Sequence, residues 1–258
     1  MMFKDKVVVV TGASSGIGAA SCAEFAKRGA KIALIARRKE KLEKTASLLG
    51  AESLVCPCDV SSKNQVEKMR DLVLERFGRV DILVNNAGFA VLGKVADLAI
   101  DEIESQMATN YLGMVYCVKS FLPKMLEQKS GHIVNVASVA ASFGLPGIAP
   151  YCASKFAMLG FSEGLYHELR GTGVGITVVS PIMVKTEFFD HPSFASMPKY
   201  SPTALSANTV AKAVVRAARS PRAEIIVPGV VRGAVWAKHT IPYLINPIVG
   251  SAFAKYLK

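Results

Sequence analysis

Acid is scarce in this chain. Against 31 Lys and Arg it carries 20 Asp and Glu, a net charge of +11, and no acid follows Glu224. That imbalance admits attraction to anionic ligands, nucleic acid or lipid headgroups, and by itself selects none of them. Long apolar runs are missing too, since none approaches the roughly 18 residues of a membrane span. Residues 1–6 mix acid and base ahead of the first apolar run, which is not the layout of a signal peptide. Cysteines are few and odd in number. Cys22, Cys56, Cys58, Cys117 and Cys152 have no framework spacing, and Cys56 and Cys58 lack a second pair or a nearby histidine. This argues against a disulfide scaffold or a zinc site, and for reduced, buried thiols in a cytoplasmic protein. His132, His167, His191 and His239 have no ligand spacing, so no metal is expected. Repeats, low-complexity tracts and interdomain linkers are absent. What is there, 258 residues of which 51% are apolar and 20% charged, suits one large globular domain.

Apolar runs and amphipathic stretches alternate along that domain. Val7–Val10 is a β-branched run of the kind that forms a strand covered on both faces. The glycine-rich stretch 11–18, TGASSGIG, follows it. A helix is expected over Ala19–Arg28, closed by Gly29, and a strand over Lys31–Ala36. Further helices are expected over Lys39–Leu49, from a cap at Ser61 or Ser62 to Phe77, over Asp101–Leu126, Pro150–Arg170 and Ala207–Arg219. The intervening strands are Ser53–Cys58, Asp81–Val84, Gly131–Ser138, Gly175–Ser180 and Glu224–Val227. Such alternation predicts an α/β fold, a doubly wound parallel sheet of Rossmann type with helices on both faces. Only 182–206 and the tail after Pro228 read as irregular. The segments 11–18, 59–60, 85–88, 138 and 180–186 all fall at carboxyl ends of strands, where open α/β sheets bind ligands. Glycines in the first turn let a backbone approach a pyrophosphate held by the following helix N-terminus. The same residues also make an ordinary tight turn.

At residues 151–155, YCASK, Tyr151 and Lys155 stand four apart and share one helix face. A neighbouring ammonium lowers the pKa of a phenol from its ordinary value of about 10. A Tyr so tuned exchanges a proton with a carbonyl or alcohol oxygen near neutral pH. Cys152 beside it reads as a small packing residue.

Taken together, TGASSGIG, Asp59-Val60, the NNAG of 85–88, Asn110, Ser138 and the Tyr151/Lys155 pair resemble the short-chain dehydrogenase/reductase family over roughly residues 5–227. The resemblance implies a hydride transfer between a nicotinamide dinucleotide and a carbonyl or alcohol. Tyr151 would be the general acid/base, and Lys155 would lower its pKa and hold the nicotinamide ribose. Ser138 would bond the substrate oxygen, and Asn110 would hold a water linking Lys155 to a proton relay. Gly12, Ser14, Ser15, Gly16, Ile17 and Gly18 would line the cofactor. Asp59 and Val60 would border the adenine, with Asn86, Ala87 and Gly88 beside its ribose and the neighbouring strand ends. Pro181, Val184 and Thr186 would meet the carboxamide and phosphates, although Ile182 stands where the family usually has Gly.

Four finer expectations follow. No acid ends the strand Lys31–Ala36 to bond a ribose 2′-hydroxyl. Arg37, and to a lesser degree Arg38, stand there instead, which favours NADP(H) over NAD(H). Residues 182–206, with Phe188, Phe189, Phe194, Met197 and Tyr200, read as a lid over a hydrophobic ketone, aldehyde or acyl, lipid-like substrate. Small residues on two helices (Ala108, Gly113, Ala153, Ala157, Gly160, Gly164), which make dimers in the resembling family, suggest a homodimer or homotetramer. The tail 228–258 mixes Arg232, Lys238, Lys255 and Lys258 with Trp236, Tyr243, Phe253, Tyr256, Leu257 and aliphatics. It suits either a subunit interface or pocket cap, or the surface of an anionic membrane. A reading from another class also stands: a dinucleotide-binding regulatory or nucleic-acid-binding protein without turnover. The full set of Asn110, Ser138, Tyr151 and Lys155 argues against it, and no nucleic-acid partner is expected.

Overall fold

The computed structural model describes residues 2–195, 200–220 and 222–254. Seven parallel strands form the central sheet: β1 (Val7–Thr11), β2 (Lys31–Ala36), β3 (Ser53–Pro57), β4 (Ile82–Asn85), β5 (Gly131–Val136), β6 (Val174–Pro181) and β9 (Glu224–Val227). Their order is β3-β2-β1-β4-β5-β6-β9, so the chain reverses direction across the sheet between β1 and β4. A short parallel pair, β7 (Val184–Lys185) and β8 (Leu205–Ser206), lies outside it. The helices are α1 (Gly16–Ala26), α2 (Lys39–Ser47), α3 (Lys63–Phe77), α4 (Ile100–Met107), α5 (Gly113–Glu127), α6 (Ala149–Glu168), α7 (Ala207–Arg219), α8 (Val231–Thr240) and α9 (Pro242–Ala254).

Side-chain parity in each strand divides the core in two. Val8 and Val10 face one way with Ile32, Leu34, Phe25, Val210 and Val214. Val9 faces the other way with Ile35, Val66, Phe121, Ile133 and Ile176. This two-faced burial is why the strands read as unbroken β-branched runs rather than as alternations. At the amino ends of the strands, Asp81 ties the sheet together. It accepts from Arg79 through both oxygens at 2.6 and 2.9 Å, from Lys6 at 2.9 Å and from the Val7 amide at 2.9 Å.

Several elements differ from the sequence expectation. The stretch 101–126 is not one helix, because a π-turn at Ala108–Leu112 separates α4 from α5. The apolar rhythm continues through that turn, but Asn110 is drawn inward by side-chain bonds, and one extra residue is accommodated there. Gly113 does not belong to an outer face. A Cβ on it would come within 2.8 Å of Val60, so it packs inward. On α6, by contrast, Ala153, Gly160 and Gly164 are exposed. Helix α1 begins at Gly16, which puts Gly16, Ile17 and Gly18 in its first turn. Strand β5 stops at Val136, so Ser138 caps the 3₁₀ turn Val139–Ala141 instead of ending the strand. Among its described residues the tail forms two helices, α8 and α9, and Pro242 occupies the first position of α9, where a missing N–H costs nothing. Trp236, Tyr243, Leu244 and Ile248 stay exposed on these two helices, as does Val230 just ahead of α8. No helix among the described residues is long and apolar enough to cross a membrane. Met197, Lys255, Tyr256, Leu257, Lys258 and the side chain of Phe253 lie outside the described residues.

Candidate active site

The loops after β1 and β4 meet at the point where the strand order reverses. Thr11, at the end of β1, accepts from the amides of Asn86 and Ala87 at 2.9 and 3.0 Å through its hydroxyl. Asn86 Nδ2 donates back to Thr11 O at 3.0 Å and Gly12 O at 3.4 Å. Gly12 has φ +66°, and a Cβ there would lie 2.7 Å from Asn86 Nδ2. Gly18 is packed against the Gly12 carbonyl with no room for a side chain. Ser15 precedes α1 in extended conformation, gives no side-chain cap, and the first turn holds no acid. The unpaired N–H groups of that turn are therefore free to take an anion. A bare backbone cradle before an uncapped helix fits the diphosphate of a dinucleotide.

The remaining cofactor candidates lie around this cradle. Asp59 accepts from Ser61 N and Oγ at 3.0 and 2.8 Å, and Val60 is buried against Gly113. Ile182 donates to Val227 O at 3.0 Å. Its φ is not among the positive ones, so a side chain is accommodated where glycine was expected. Val184 is buried. Thr186 lies against Gly16, 2.9 Å from where a Cβ would be. Ser14 and Arg38 are joined at 3.3 Å, and Arg37 is exposed at the end of β2.

The structure brings Ser138, Tyr151 and Lys155 together. Ser138 Oγ accepts from the Ala140 amide at 3.1 Å, lies 3.5 Å from Pro181 O, and is close enough to act on the Tyr151 phenol. Tyr151 is 8% exposed and Lys155 3%. Lys155 Nζ donates to Val136 O at 3.1 Å and stands 5.7 Å from the centre of the Tyr151 ring. Burial lowers the Lys155 pKa from 10.5 to about 8. It also pushes the Tyr151 phenol up, against a smaller downward pull from Ser138. The net shift of Tyr151 is upward, where a neighbouring ammonium acting alone would lower it: both groups are withdrawn from water, and desolvation favours the neutral form of each.

Asn110, fully buried in the π-turn, clasps the strand-end loop. Its Nδ2 donates to Phe89 O and to Ser154 Oγ, each at 2.9 Å, and Oδ1 accepts from Phe89 N at 3.0 Å. Both amide N–H groups are thereby used within the protein, so any role toward Lys155 falls to Oδ1 or to the backbone. Gly88 adjoins both residues, with a Cβ position 3.0 Å from Asn110 Oδ1 and 3.6 Å from Lys155 Nζ. Over Tyr151 lies an aromatic cluster. The Phe188 ring is 5.5 Å from Tyr151, Phe189 is 5.1 Å from Phe188, and Phe194 and Tyr200 pack on Phe189. The Cys152 thiol is buried and accepts from the Leu145 amide. Burial raises its pKa, as suits a packing residue. Sequence reasoning missed Thr11, Ser154, Lys41 and Glu187. Thr11 was legible as the first residue of TGASSGIG; the others gain their partners only through the fold.

Known proteins resemble this chain in sequence and in fold. The family model for short chain dehydrogenases matches residues 6–193. An uncharacterised oxidoreductase of Staphylococcus aureus (strain USA300) is 38% identical over 222 residues, covering 84% of this chain and 93% of the relative. A short-chain dehydrogenase/reductase of Burkholderia phymatum, solved in complex with NAD, superposes with a TM-score of 0.85 at 31% identity, over 95% of this chain and 96% of that one. A metagenomic short-chain oxidoreductase, solved with NADP, gives 0.76 at 29% identity, over 88% and 98%. The chain belongs to the short chain dehydrogenase family of oxidoreductases.

Proposed function

We propose that the protein is an NADP(H)-dependent reductase of hydrophobic carbonyl compounds, with NAD(H) as the weaker cofactor. The observation that carries this reading is the buried pair Tyr151 and Lys155, with half-buried Ser138 acting on the Tyr151 phenol, together with an uncapped, acid-free helix N-terminus. A nicotinamide dinucleotide, when bound, supplies the hydride. Tyr151, whose pKa is raised, holds its proton at neutral pH and donates it to the carbonyl oxygen. Ser138 positions that oxygen by hydrogen bonding. Lys155, protonated below about pH 8, stabilises the negative charge that develops there. The aromatic cover of Phe188, Phe189, Phe194 and Tyr200 excludes water and favours an apolar substrate, a ketone, aldehyde or acyl and lipid-like carbonyl.

Choice of cofactor rests on charge. Arg37, Arg38 and Lys39 follow β2 with no carboxylate before Glu40, and guanidinium groups pair with a phosphate where a carboxylate would repel it. Comparison of kcat/KM for NADPH and NADH tests this. NADPH is expected to be favoured, and Arg37→Asp to weaken NADPH far more than NADH; equal values for the two cofactors in the unmodified protein would contradict it. The tail is part of the same reading. Its exposed Trp236, Tyr243, Leu244 and Ile248, with Arg232 and Lys238 and no acid, fit the surface of an anionic membrane, from which a lipid-like carbonyl would come.

A further inference from the structure

Glu187 opens the 3₁₀ turn Glu187–Asp190, directly after Thr186 and directly before Phe188. Its carboxylate reaches across the cofactor groove to α2. Lys41 Nζ donates to Oε1 at 2.9 Å and to Oε2 at 2.8 Å, and Arg38 Nη2 donates to Oε2 at 3.2 Å. Arg38 also donates to Ser14 at 3.3 Å. The three segments enclose a cleft of about 450 Å³ lined by Ser14, Ser15, Gly16, Lys41, Lys44 and Glu187. Lys41 first, and Arg38 after it, hold the Glu187 carboxyl below its ordinary range, so the group is an anion.

Phe188, the next residue, has its ring 5.5 Å from that of Tyr151 and shares the cluster with Phe189 and Phe194. One end of a short turn therefore holds the cations at the mouth of the cofactor groove, and the other covers the proton donor. Both ends cannot be indifferent to an anion arriving at Arg38 and Lys41, because a phosphate and the Glu187 carboxylate want the same N–H donors.

We propose that Glu187 is an internal latch that stands in for a phosphate on Arg38 and Lys41, and that a 2′-phosphate entering there displaces it and loosens the Glu187–Phe194 segment over Tyr151. Lys41 is then a determinant of 2′-phosphate affinity, and Glu187 opposes that affinity. The inference rests on the reading that the 2′-phosphate goes to this cationic end of β2.

The test titrates the full chain with 2′,5′-ADP and with 5′-AMP by calorimetry. The unmodified protein is expected to bind 2′,5′-ADP more tightly. Glu187→Gln is expected to tighten 2′,5′-ADP by about three- to fivefold, the scale of an exposed ion pair, and to leave 5′-AMP unchanged. Lys41→Met should weaken 2′,5′-ADP alone. In the unmodified protein, amide hydrogen exchange in Glu187–Phe194 should quicken when 2′,5′-ADP is added and stay unchanged with 5′-AMP. If the unmodified protein binds both nucleotides equally, the 2′-phosphate reading falls and the latch with it. If it prefers 2′,5′-ADP but Glu187→Gln leaves that affinity unchanged or weakens it, or if exchange in the segment does not quicken, the latch alone is overturned.

Discussion

Lys155 and Tyr151 titrate in opposite directions for one reason, their shared withdrawal from water. The consequence is a pH profile. Lys155 loses its proton near pH 8 rather than 10.5, while Tyr151 stays protonated past neutrality. For carbonyl reduction, kcat/KM reports the free enzyme and is expected to hold steady below about pH 8 and to fall above it; a flat profile to pH 10 would count against Lys155 acting as a cation. The identities of Tyr151, Lys155, Ser138 and Asn110 are legible from residue order, because their spacing is a motif. The direction of the Tyr151 shift is not, since it depends on how deeply α6 buries the ring. Nor is Glu187, which meets Lys41 across 146 residues of sequence.

Strands β5 and β6 bring a buried, titratable histidine against a threonine hydroxyl. His132 Nε2 lies 3.0 Å from Thr177 Oγ1, and burial lowers the His132 pKa from 6.5 to about 4. Between those values the unfolded chain binds a proton that the native state refuses, so stability falls as pH drops from about 6.5 toward 4, by on the order of 3 kcal/mol in all. The carboxylates held low, Glu52, Glu187 and Asp81, begin to weaken the fold only below their ordinary values of 4.5 and 3.8. Denaturant unfolding between pH 6.5 and 5 therefore isolates His132, and His132→Gln is expected to flatten that slope. An unchanged slope in the variant would show that the loss arises elsewhere. At this scale the β-branched runs gave the strands away, and Ser62 its helix, capped through the Gln65 amide. The π-turn was hidden because its cause is Asn110 reaching Phe89 and Ser154. The tail helices were hidden because Pro242 and Pro247 read as breaks.

The molecule as a whole is a cationic body, net +11, with an acid-free pair of helices at its end. The parallel sheet with helices on its faces was legible from the alternating elements; its strand order was not. The exposure of Trp236, Tyr243 and Ile248 was not, because composition does not say which apolar residues a fold leaves uncovered. Vesicles of anionic lipid at low salt are expected to sediment with the protein, and a chain ending at Pro228 to stay folded but cease sedimenting. If truncation instead changes the mass in light scattering and the intact protein never sediments, the tail is a subunit interface. The central claim is that Tyr151 transfers a proton to a carbonyl in an enzyme that holds a nicotinamide dinucleotide. Tyr151→Phe removes the hydroxyl and keeps the ring that Phe188 packs against. The account predicts that this variant binds NADPH as the unmodified protein does and loses turnover of a carbonyl substrate by at least about 100-fold; near-normal turnover with intact NADPH binding would contradict it.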